Sequence, residues 1–219
     1  MVFARRLNIL VVTEWGVLTL SEQRIRSRRP FNAKYIPNLH FLTQPSFVAV
    51  DFETANRGGG VSACQVALVK MEDGQVTDEF STFIQPPQGY SRFEFTWLHG
   101  IGPRQVATAP MWDQIADQIA RFVGDLPVYA HNATFDARVW KDLDDYFGTL
   151  SLPQHFFCSY LTARRMLPGL ENYALPTVLH ECDPTFSLNH HEAGSDAHAC
   201  ARIVRHLASR DDLHGALAP

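Results

Sequence analysis

The sequence predicts an α/β fold in which helices pack on a mixed β-sheet. Two observations lead to this class. Three β-rich segments that can pair as antiparallel strands come first, and helical and strand patterns alternate after them. The chain has 219 residues, of which 46% are hydrophobic and 19% charged, so it can bury one domain core and is not a disordered protein.

The three antiparallel strands are predicted between residues 46 and 84. Residues 47–52 form an apolar, β-rich run that is typical of a central buried strand. Residues 62–71 and 75–84 predict a second and a third strand. The sequence Glu-Asp-Gly at 72–74 is a turn signal between them, so these two strands are predicted to form a β-hairpin.

Helical and strand patterns alternate in the second half of the chain. Apolar residues recur at helical spacing from Trp112 to Val123, after Pro110 and before Gly124, which predicts a helix. A fourth strand is predicted over residues 126–130.

The remaining elements follow from cap residues and short apolar runs. Asn132 is a plausible N-cap for a helix whose apolar residues follow at four-residue steps. Residues 152–182 contain a short strand or turn near Phe156 and two short helices. Ser195 is the expected N-cap of the last helix.

The N-terminal region differs from the rest of the chain in charge. Up to residue 45, basic residues outnumber acidic residues by five, whereas the remainder carries a net charge of −9. The region shows no clear period, and residues 9–12 and 17–20 are candidate short strands without an assigned partner. We therefore predict a basic extension over residues 1–45, a globular domain over 46–210 and a tail over 211–219.

Several classes of protein are excluded by composition. No two of the four cysteines form a CxxC pair, which excludes a zinc knuckle, and four are too few for a disulfide scaffold. We expect them to be buried free thiols. No apolar run is long enough to span a bilayer, and the apolar run at residues 7–12 is too short for a signal peptide. A cytoplasmic protein without a membrane partner is expected.

Two carboxylates on the first strand form the first candidate site. Asp51 and Glu53 are two residues apart, so on a strand both side chains point to the same face. They would repel each other, and removing them from water is costly, so a divalent cation would relieve both penalties. A pair of this kind also arises by chance, and a surface pair without function is the alternative interpretation.

Two more carboxylates occur at predicted helix starts. Asp136 would lie in the first turn of the helix that follows Asn132, and Asp196 would lie at the start of the last helix, five residues after His191. Each acid alone could simply stabilise a helix N-terminus, and His191 alone could be a loop residue. Four carboxylates at element ends, in this order, favour a shared site over four separate accidents.

The motifs that contain these acids resemble those of the DEDDh 3′–5′ exonucleases. VDFETA at residues 50–55 resembles the first motif, HNATFD at 131–136 the second, and His191 with Asp196 and Ala197 the third. LHGI at 98–101 and CQVALV at 64–69 resemble two further recurring segments, and the whole resemblance covers about residues 47–208. Glu occupies position 192, where the related tyrosine subgroup needs Tyr, so that subgroup is excluded.

The resemblance implies an RNase H-like fold, a mixed five-stranded sheet flanked by helices. It also implies two Mg²⁺ or Mn²⁺ ions, since hard cations bind oxygen ligands, with His191 as the general base that takes a proton from the attacking water. The relatives it suggests are the proofreading epsilon subunit of bacterial DNA polymerase III and stand-alone exonucleases. The four ligands that the resemblance implies are Asp51, Glu53, Asp136 and Asp196.

The same resemblance implies the substrate and leaves alternatives open. The expected activity is hydrolysis from the 3′ end of nucleic acid, DNA preferred, with release of nucleoside 5′-monophosphates. The expected partners are single-stranded DNA or DNA 3′ ends, with RNA, a DNA polymerase or a repair protein left open. An RNA exonuclease of the RNase T or oligoribonuclease type and a non-catalytic nucleic-acid-binding module are the alternatives. Substrate contacts are expected from Phe52, Thr54, Asn132 and Phe135.

The two ends of the chain depart from the family pattern. The chain ends 23 residues after Asp196, and it lacks the long C-terminal tail by which a replicative proofreading subunit would hold its polymerase. The basic extension has no counterpart in that pattern. From these two departures we expect a role outside the replisome core.

Overall fold

A computed structural model describes residues 33–213 of the chain, and the candidate strands at 9–12 and 17–20 lie outside them. The described residues form a five-stranded sheet with the strand order β3-β2-β1-β4-β5. Strand β1 pairs antiparallel with β2, which pairs antiparallel with β3, whereas β4 runs parallel to both β1 and β5. The predicted mixed sheet is confirmed. The strands are β1 (Phe47–Thr54), β2 (Ala63–Glu72), β3 (Gln75–Phe83), β4 (Val128–Ala130) and β5 (Phe156–Cys158).

Eight α-helices and two 3₁₀ turns surround the sheet within residues 33–213. The 3₁₀ turns are Ala33–Tyr35 and Gly60–Ser62. Helices α1 to α3 have four residues each, and the long helices are α4, α5 and α8. The helices are α1 (Leu39–Leu42), α2 (Thr96–His99), α3 (Pro103–Val106), α4 (Trp112–Val123), α5 (Ala133–Phe147), α6 (Ser159–Met166), α7 (Leu175–Cys182) and α8 (Ala193–Ala208).

The long elements agree with the sequence, but two predicted caps do not. Asn132 precedes α5, as expected, yet its backbone is left-handed with φ of 75° and its side chain makes no capping hydrogen bond. Ser195 does not cap α8, because that helix begins two residues earlier. Glu192 is the N-cap, and its carboxylate accepts hydrogen bonds from the backbone N–H groups of Gly194 and Ser195.

The sheet separates two hydrophobic layers because side chains alternate along β1. Val48, Val50 and Phe52 pack with α4 and α5 on one face. Phe47 and Ala49 pack with α7 and α8 on the other face. Asp51 and Glu53 continue this second series by parity, so they point toward α8.

Helix α1 is part of the domain core, so the packed domain begins before the predicted boundary at residue 46. Leu42 is only 1% exposed and packs in the layer that contains α8. The Tyr129 hydroxyl donates a hydrogen bond to the carbonyl of Phe41 at 3.1 Å. Residues 39–42 therefore belong to the domain, and the basic extension predicted for residues 1–45 stays a prediction only for the part that precedes residue 33.

All four cysteines are free thiols, and three of them are buried, as the sequence predicts. Between residues 33 and 213, no helix combines the length and the apolar composition that crossing a bilayer requires.

Asp144 is a buried structural carboxylate of α5. It is 7% exposed. Its oxygens accept hydrogen bonds from the Trp112 indole at 3.0 Å, from the Ser151 backbone N–H at 2.7 Å and from the Ser151 hydroxyl at 2.7 Å. Burial alone would raise its pKa, but these donors favour the ionised form and the pKa lies below its usual value.

We expect Asp144→Ala to destabilise the fold by about 2–4 kcal/mol, since it leaves several buried donors without a partner. The matched control is Asp145→Ala, because Asp145 is exposed and pairs only with Lys141 on the same helix. That variant should stay within about 0.5 kcal/mol of the parent. Urea unfolding of the three proteins measures the difference, and equal midpoints for both variants would contradict the assignment.

Candidate active site

Three carboxylates converge where β1 passes the start of α8. Asp51 and Glu53 point to the same face of β1, and Asp196 lies in the first turn of α8 on that side of the sheet. One carboxylate oxygen from each of the three residues lies within 4.8 Å of the other two. The structure therefore brings together the first and third motifs, which are more than 140 residues apart in sequence.

The fourth carboxylate, Asp136, comes from helix α5 and contacts the same strand, β1. It lies in the first turn of α5, and α5 follows β4, the parallel neighbour of β1. Its Oδ1 accepts a hydrogen bond from the backbone N–H of Phe52 at 3.3 Å. Phe52 lies between Asp51 and Glu53, so this bond fixes Asp136 beside both of them. The Asp136 side chain is buried.

The pKa of each of the four carboxyl groups lies above its usual value. Burial, together with repulsion by Asp196, raises the pKa of Glu53 and of Asp136 to about 8, although the hydrogen bond from the Phe52 N–H opposes the shift at Asp136. Burial, followed by repulsion from Asp136 and Asp196, raises the pKa of Asp51 well above its usual value. Burial also raises the pKa of Asp196, although hydrogen bonds from the neighbouring histidines oppose it. Ionising all four groups would therefore concentrate negative charge at the site, which the metal-free protein disfavours.

The donor set fits a hard divalent cation. Every ligand atom that the four acids offer is an oxygen, and Mg²⁺ and Mn²⁺ prefer carboxylate oxygens. The repulsion that raises the carboxyl pKa values is the interaction that a bound cation would reverse. Two ions held by Asp51, Glu53, Asp136 and Asp196 remain a proposal, which the chemistry of this cluster supports.

We expect the metal-free protein to lose stability as the pH rises from about 4 to about 8. Glu53 and Asp136 keep their protons up to about pH 8 in the folded state, whereas the unfolded chain releases them near pH 4. The folded state binds more protons in this window, so its free energy of unfolding falls as the pH rises. The double variant Glu53→Gln with Asp136→Asn should flatten that slope. Thermal melting in EDTA at several pH values measures both slopes, and identical slopes would refute the assignment.

Two adjacent histidines lie against Asp196 and differ in how they contact it. The Nδ1 atom of His190 is 3.0 Å from Asp196 Oδ2. His191 instead donates its backbone N–H to the same oxygen at 3.0 Å, with a left-handed φ of 69°. The two rings are stacked with centroids 3.8 Å apart. His190 therefore contacts Asp196 through its ring, whereas His191 contacts it through its backbone.

His191 has the protonation state that a base needs. Burial lowers its pKa below the usual value, and the neighbouring His190 lowers it further. The imidazole is therefore neutral near pH 7 and can accept a proton. Its role as general base stays a proposal.

Glu192 and His99 support the site, and the sequence interpretation missed both roles. Besides capping α8, the Glu192 carboxylate accepts a hydrogen bond from the Gln65 side-chain amide at 3.2 Å, which ties the start of α8 to β2. The His99 Nε2 atom lies 3.2 Å from the carbonyl of Thr54, and its Nδ1 accepts the Ile101 N–H. His99 thus fixes the end of β1. The LHGI segment was the available signal, since it marked His99 without giving its partner.

The predicted substrate residues separate into a buried and an accessible group. Phe52 is 2% exposed and packs on Trp112 and Trp140, so its ring cannot stack on a base and this part of the prediction is wrong. Thr54 and Phe135 line a cavity of about 240 Å³, and in the sequence they adjoin Glu53 and Asp136. Asn132 is exposed.

Comparison with known proteins identifies relatives of this chain. A family model described as Exonuclease matches residues 48–204. DNA polymerase III PolC-type of Clostridium perfringens (strain 13 / Type A) is 31% identical over 161 residues, which is 73% of this chain and 11% of that protein. The PolC-type protein of Halalkalibacterium halodurans is 28% identical over 193 residues, 84% of this chain and 13% of that protein. The chain thus spans a small fraction of the length of the curated relatives it matches.

Solved structures share the fold. Exonuclease X, solved in complex with 5′ overhanging duplex DNA, is 25% identical with a TM-score of 0.57, over 77% of this chain and 91% of that one. The nuclease domain of 3′hExo, a DEDDh family member bound to rAMP, is 14% identical with a TM-score of 0.64, over 74% of this chain and 90% of that one. The second likeness concerns the fold alone. The five-stranded mixed sheet flanked by helices is the RNase H-like fold of these neighbours.

Proposed function

Because this chain belongs to the exonuclease family, in its DEDDh type, we propose that it is a 3′–5′ exonuclease that hydrolyses phosphodiester bonds at the 3′ end of DNA and releases nucleoside 5′-monophosphates. The preference for DNA is supported by the named relatives, which include DNA polymerase III PolC-type and an Exonuclease X solved with duplex DNA. RNA is the alternative substrate.

The observation that carries the proposal is the convergence of four carboxylates on one end of β1. Oxygens of Asp51, Glu53 and Asp196 lie within 4.8 Å of one another, and Asp136 is held beside them by the Phe52 N–H. A protein that only bound nucleic acid would gain nothing from this cluster, because it repels phosphate and raises the cost of folding. Retention of all four acids and of His191 therefore favours an enzyme.

Each residue has a defined task in the proposed reaction. The four carboxylates would hold Mg²⁺ or Mn²⁺, which when bound supplies charge stabilisation for an in-line displacement at phosphorus and a water of lowered pKa. His191, neutral near pH 7, would accept the proton that the attacking water releases. Asp196 orients this loop, since it accepts the His191 backbone N–H. Thr54 and Phe135, which follow Glu53 and precede Asp136 in the sequence, share a cavity that would hold the terminal nucleotide.

The decisive experiment compares single-stranded DNA and RNA of the same sequence, each labelled at its 5′ end. We expect shortening from the 3′ end with Mg²⁺ or Mn²⁺, none in EDTA, and faster shortening of DNA. Chromatography of the released products should show nucleoside 5′-monophosphates. Faster shortening of RNA would replace the substrate assignment, and binding without shortening under any metal would make the chain a non-catalytic module.

We also propose that the enzyme acts beside a DNA polymerase or a repair protein, since the curated relatives it matches are polymerases. A proofreading role requires that a mispaired 3′ terminus, whose end is frayed, be removed faster than a paired one. Primer–template duplexes that differ only in the terminal pair test this. Equal rates on the two duplexes would argue for a role that is independent of synthesis.

The basic N-terminal residues are proposed to strengthen nucleic-acid binding rather than chemistry. Residues 1–32 carry a net charge of +4, which can replace counterions on a phosphate backbone. Deleting residues 1–32, and not the predicted 1–45, keeps Leu42 in the core. We expect this deletion to weaken oligonucleotide binding and its salt dependence while kcat at saturation is nearly unchanged. If the deletion variant keeps its affinity at low salt, the N-terminal residues do not contribute to nucleic-acid binding.

A further inference from the structure

Two arginines line the cavity that contains Thr54 and Phe135. The cavity of about 240 Å³ contains Thr54 at the end of β1, the rings of Phe95 and Phe135, and the side chains of Arg57 and Arg138. Both arginines are exposed. Within residues 33–213, neither guanidinium lies at salt-bridge distance from a carboxylate. Among the described residues, two cations without a carboxylate partner thus line a cavity whose Thr54 and Phe135 adjoin Glu53 and Asp136 in the sequence.

The loop that carries Arg57 is held rigidly. Asn56 donates its side-chain amide to the carbonyls of Tyr90 and Arg92, at 2.7 Å each, and accepts the Gly58 N–H at 2.7 Å. At the other end of the loop, Gly60 packs so closely on α5 that a Cβ there would lie 2.4 Å from the Val139 Cα. The backbone on both sides of Arg57 is therefore fixed, and its guanidinium lies over the Phe95 ring at 5.8 Å from the ring centroid.

Arg138 is presented by the helix that carries Asp136. The two residues are two positions apart on α5, so they lie on different faces, and Asp136 is buried whereas Arg138 is exposed. Arg138 and Arg57 approach the same cavity from α5 and from the β1–β2 loop. An anion in this cavity would meet both guanidinium groups.

The exposed side chain of Trp97 is a second feature of the surface near the end of β1. It is 79% exposed, whereas Trp112 and Trp140 are fully buried. Its helix, α2, is fastened to the end of β1, because the Phe95 N–H donates to the carbonyl of Ala55 and His99 contacts the carbonyl of Thr54. A large aromatic ring is therefore held in water near the end of the strand that carries the carboxylates.

We propose that Arg57, Arg138 and Trp97 form a track that binds the single-stranded 3′ segment of the substrate. The arginines bind phosphates of the strand, and Trp97 stacks on an unpaired base. The residues after 45 carry a net charge of −9, so a polyanion is repelled by most of this domain and needs local cations to approach the acidic site. This inference rests on the proposed function, since it concerns the strand that reaches the carboxylates.

The test compares the double variant Arg57→Ala with Arg138→Ala, the variant Trp97→Ala and the control Arg121→Ala in the full chain. Arg121 is an exposed arginine of α4, and its neighbour Phe122 packs near Lys70, which pairs with Val48 at the opposite end of β1 from the site. Binding of 5′-labelled oligothymidylate and oligouridylate is measured by fluorescence anisotropy in EDTA over a range of salt concentrations. Melting temperatures verify that each variant is folded.

The double arginine variant should bind both oligonucleotides roughly tenfold more weakly or worse than Arg121→Ala, and its salt slope should fall by about 0.7 for each arginine. Trp97→Ala should weaken binding roughly tenfold without a change in salt slope, because stacking carries no net charge. Affinity equal to that of Arg121→Ala in either test variant would overturn the track. EDTA separates binding from hydrolysis, so the two proposals can fail separately. If the test variants bind more weakly but the parent protein shows no hydrolysis with metal, the track stands and only the proposed function is refuted.

Discussion

Asp51→Ala and Asp136→Ala are each expected to abolish turnover while the protein stays folded. Both acids belong to the cluster that would hold the cations, and the loss of one ligand removes charge stabilisation that is needed only in the transition state. A loss of about 4 kcal/mol of that stabilisation corresponds to a fall of roughly 10³-fold in kcat. Initial rates on 5′-labelled single-stranded DNA with saturating Mn²⁺ measure the effect.

The same two variants should not be less stable than the parent when metal is absent. Burial, followed by repulsion from Asp136 and Asp196, raises the pKa of Asp51, so removal of this carboxyl group relieves unfavourable interactions in the metal-free fold. Melting temperatures in EDTA should be equal or higher, and the stabilisation by added Mn²⁺ should be smaller than in the parent. Asp117→Ala, an exposed acid on α4, is the control and should keep full activity. Near-normal turnover of Asp51→Ala or Asp136→Ala would end the assignment of the metal site.

The positions of Asp51 and Glu53 could be predicted because a strand has a period of two. Alternation puts both acids on one face of β1, and the same parity puts Phe52 on the other. The structure follows this rule, with Phe52 packed between Trp112 and Trp140. The prediction that Phe52 contacts a base therefore failed for a reason that the sequence already contained.

The start of α8 could not be predicted because several residues compete for the N-cap. Ser195 is the stronger cap by general preference, yet its hydroxyl accepts the N–H of Asn189 at 2.9 Å. Glu192 caps instead, and its position is fixed by the hydrogen bond from Gln65 on β2. That contact joins residues 127 positions apart in sequence. No local sequence pattern indicates this hydrogen bond.

The short elements around the site depend on distant partners in the same way. Helices α1 and α2 have four residues each, too few for a helical period to be visible. They form where Leu42 enters the core and where His99 reaches the carbonyl of Thr54. Asp144 looked like one of several charges on α5, and only the folded chain brings Trp112 and Ser151 to it.

His191→Ala is expected to lower kcat by roughly 10²–10⁴-fold, the usual contribution of a general base, with little change in substrate binding. His191 is neutral near pH 7, and its backbone N–H is fixed on Asp196, so the ring is available for proton transfer. The acidic limb of the pH–rate profile reports protonation of the base, so it should disappear when the His191 imidazole is removed. Rates over about pH 5.5–9 measure both effects.

His190→Ala is the matched variant, since the two histidines are adjacent and their rings are stacked. The His190 ring contacts Asp196, so we expect its removal to perturb that carboxylate and lower kcat by less than about tenfold. The pH–rate profile of His190→Ala should keep its acidic limb, because the proton acceptor, His191, is still present. A positioning role and a base role thus differ in the shape of the pH profile as well as in rate. If His190→Ala loses the limb and His191→Ala keeps it, the ring that contacts Asp196 is the base, and the third motif is shifted by one residue.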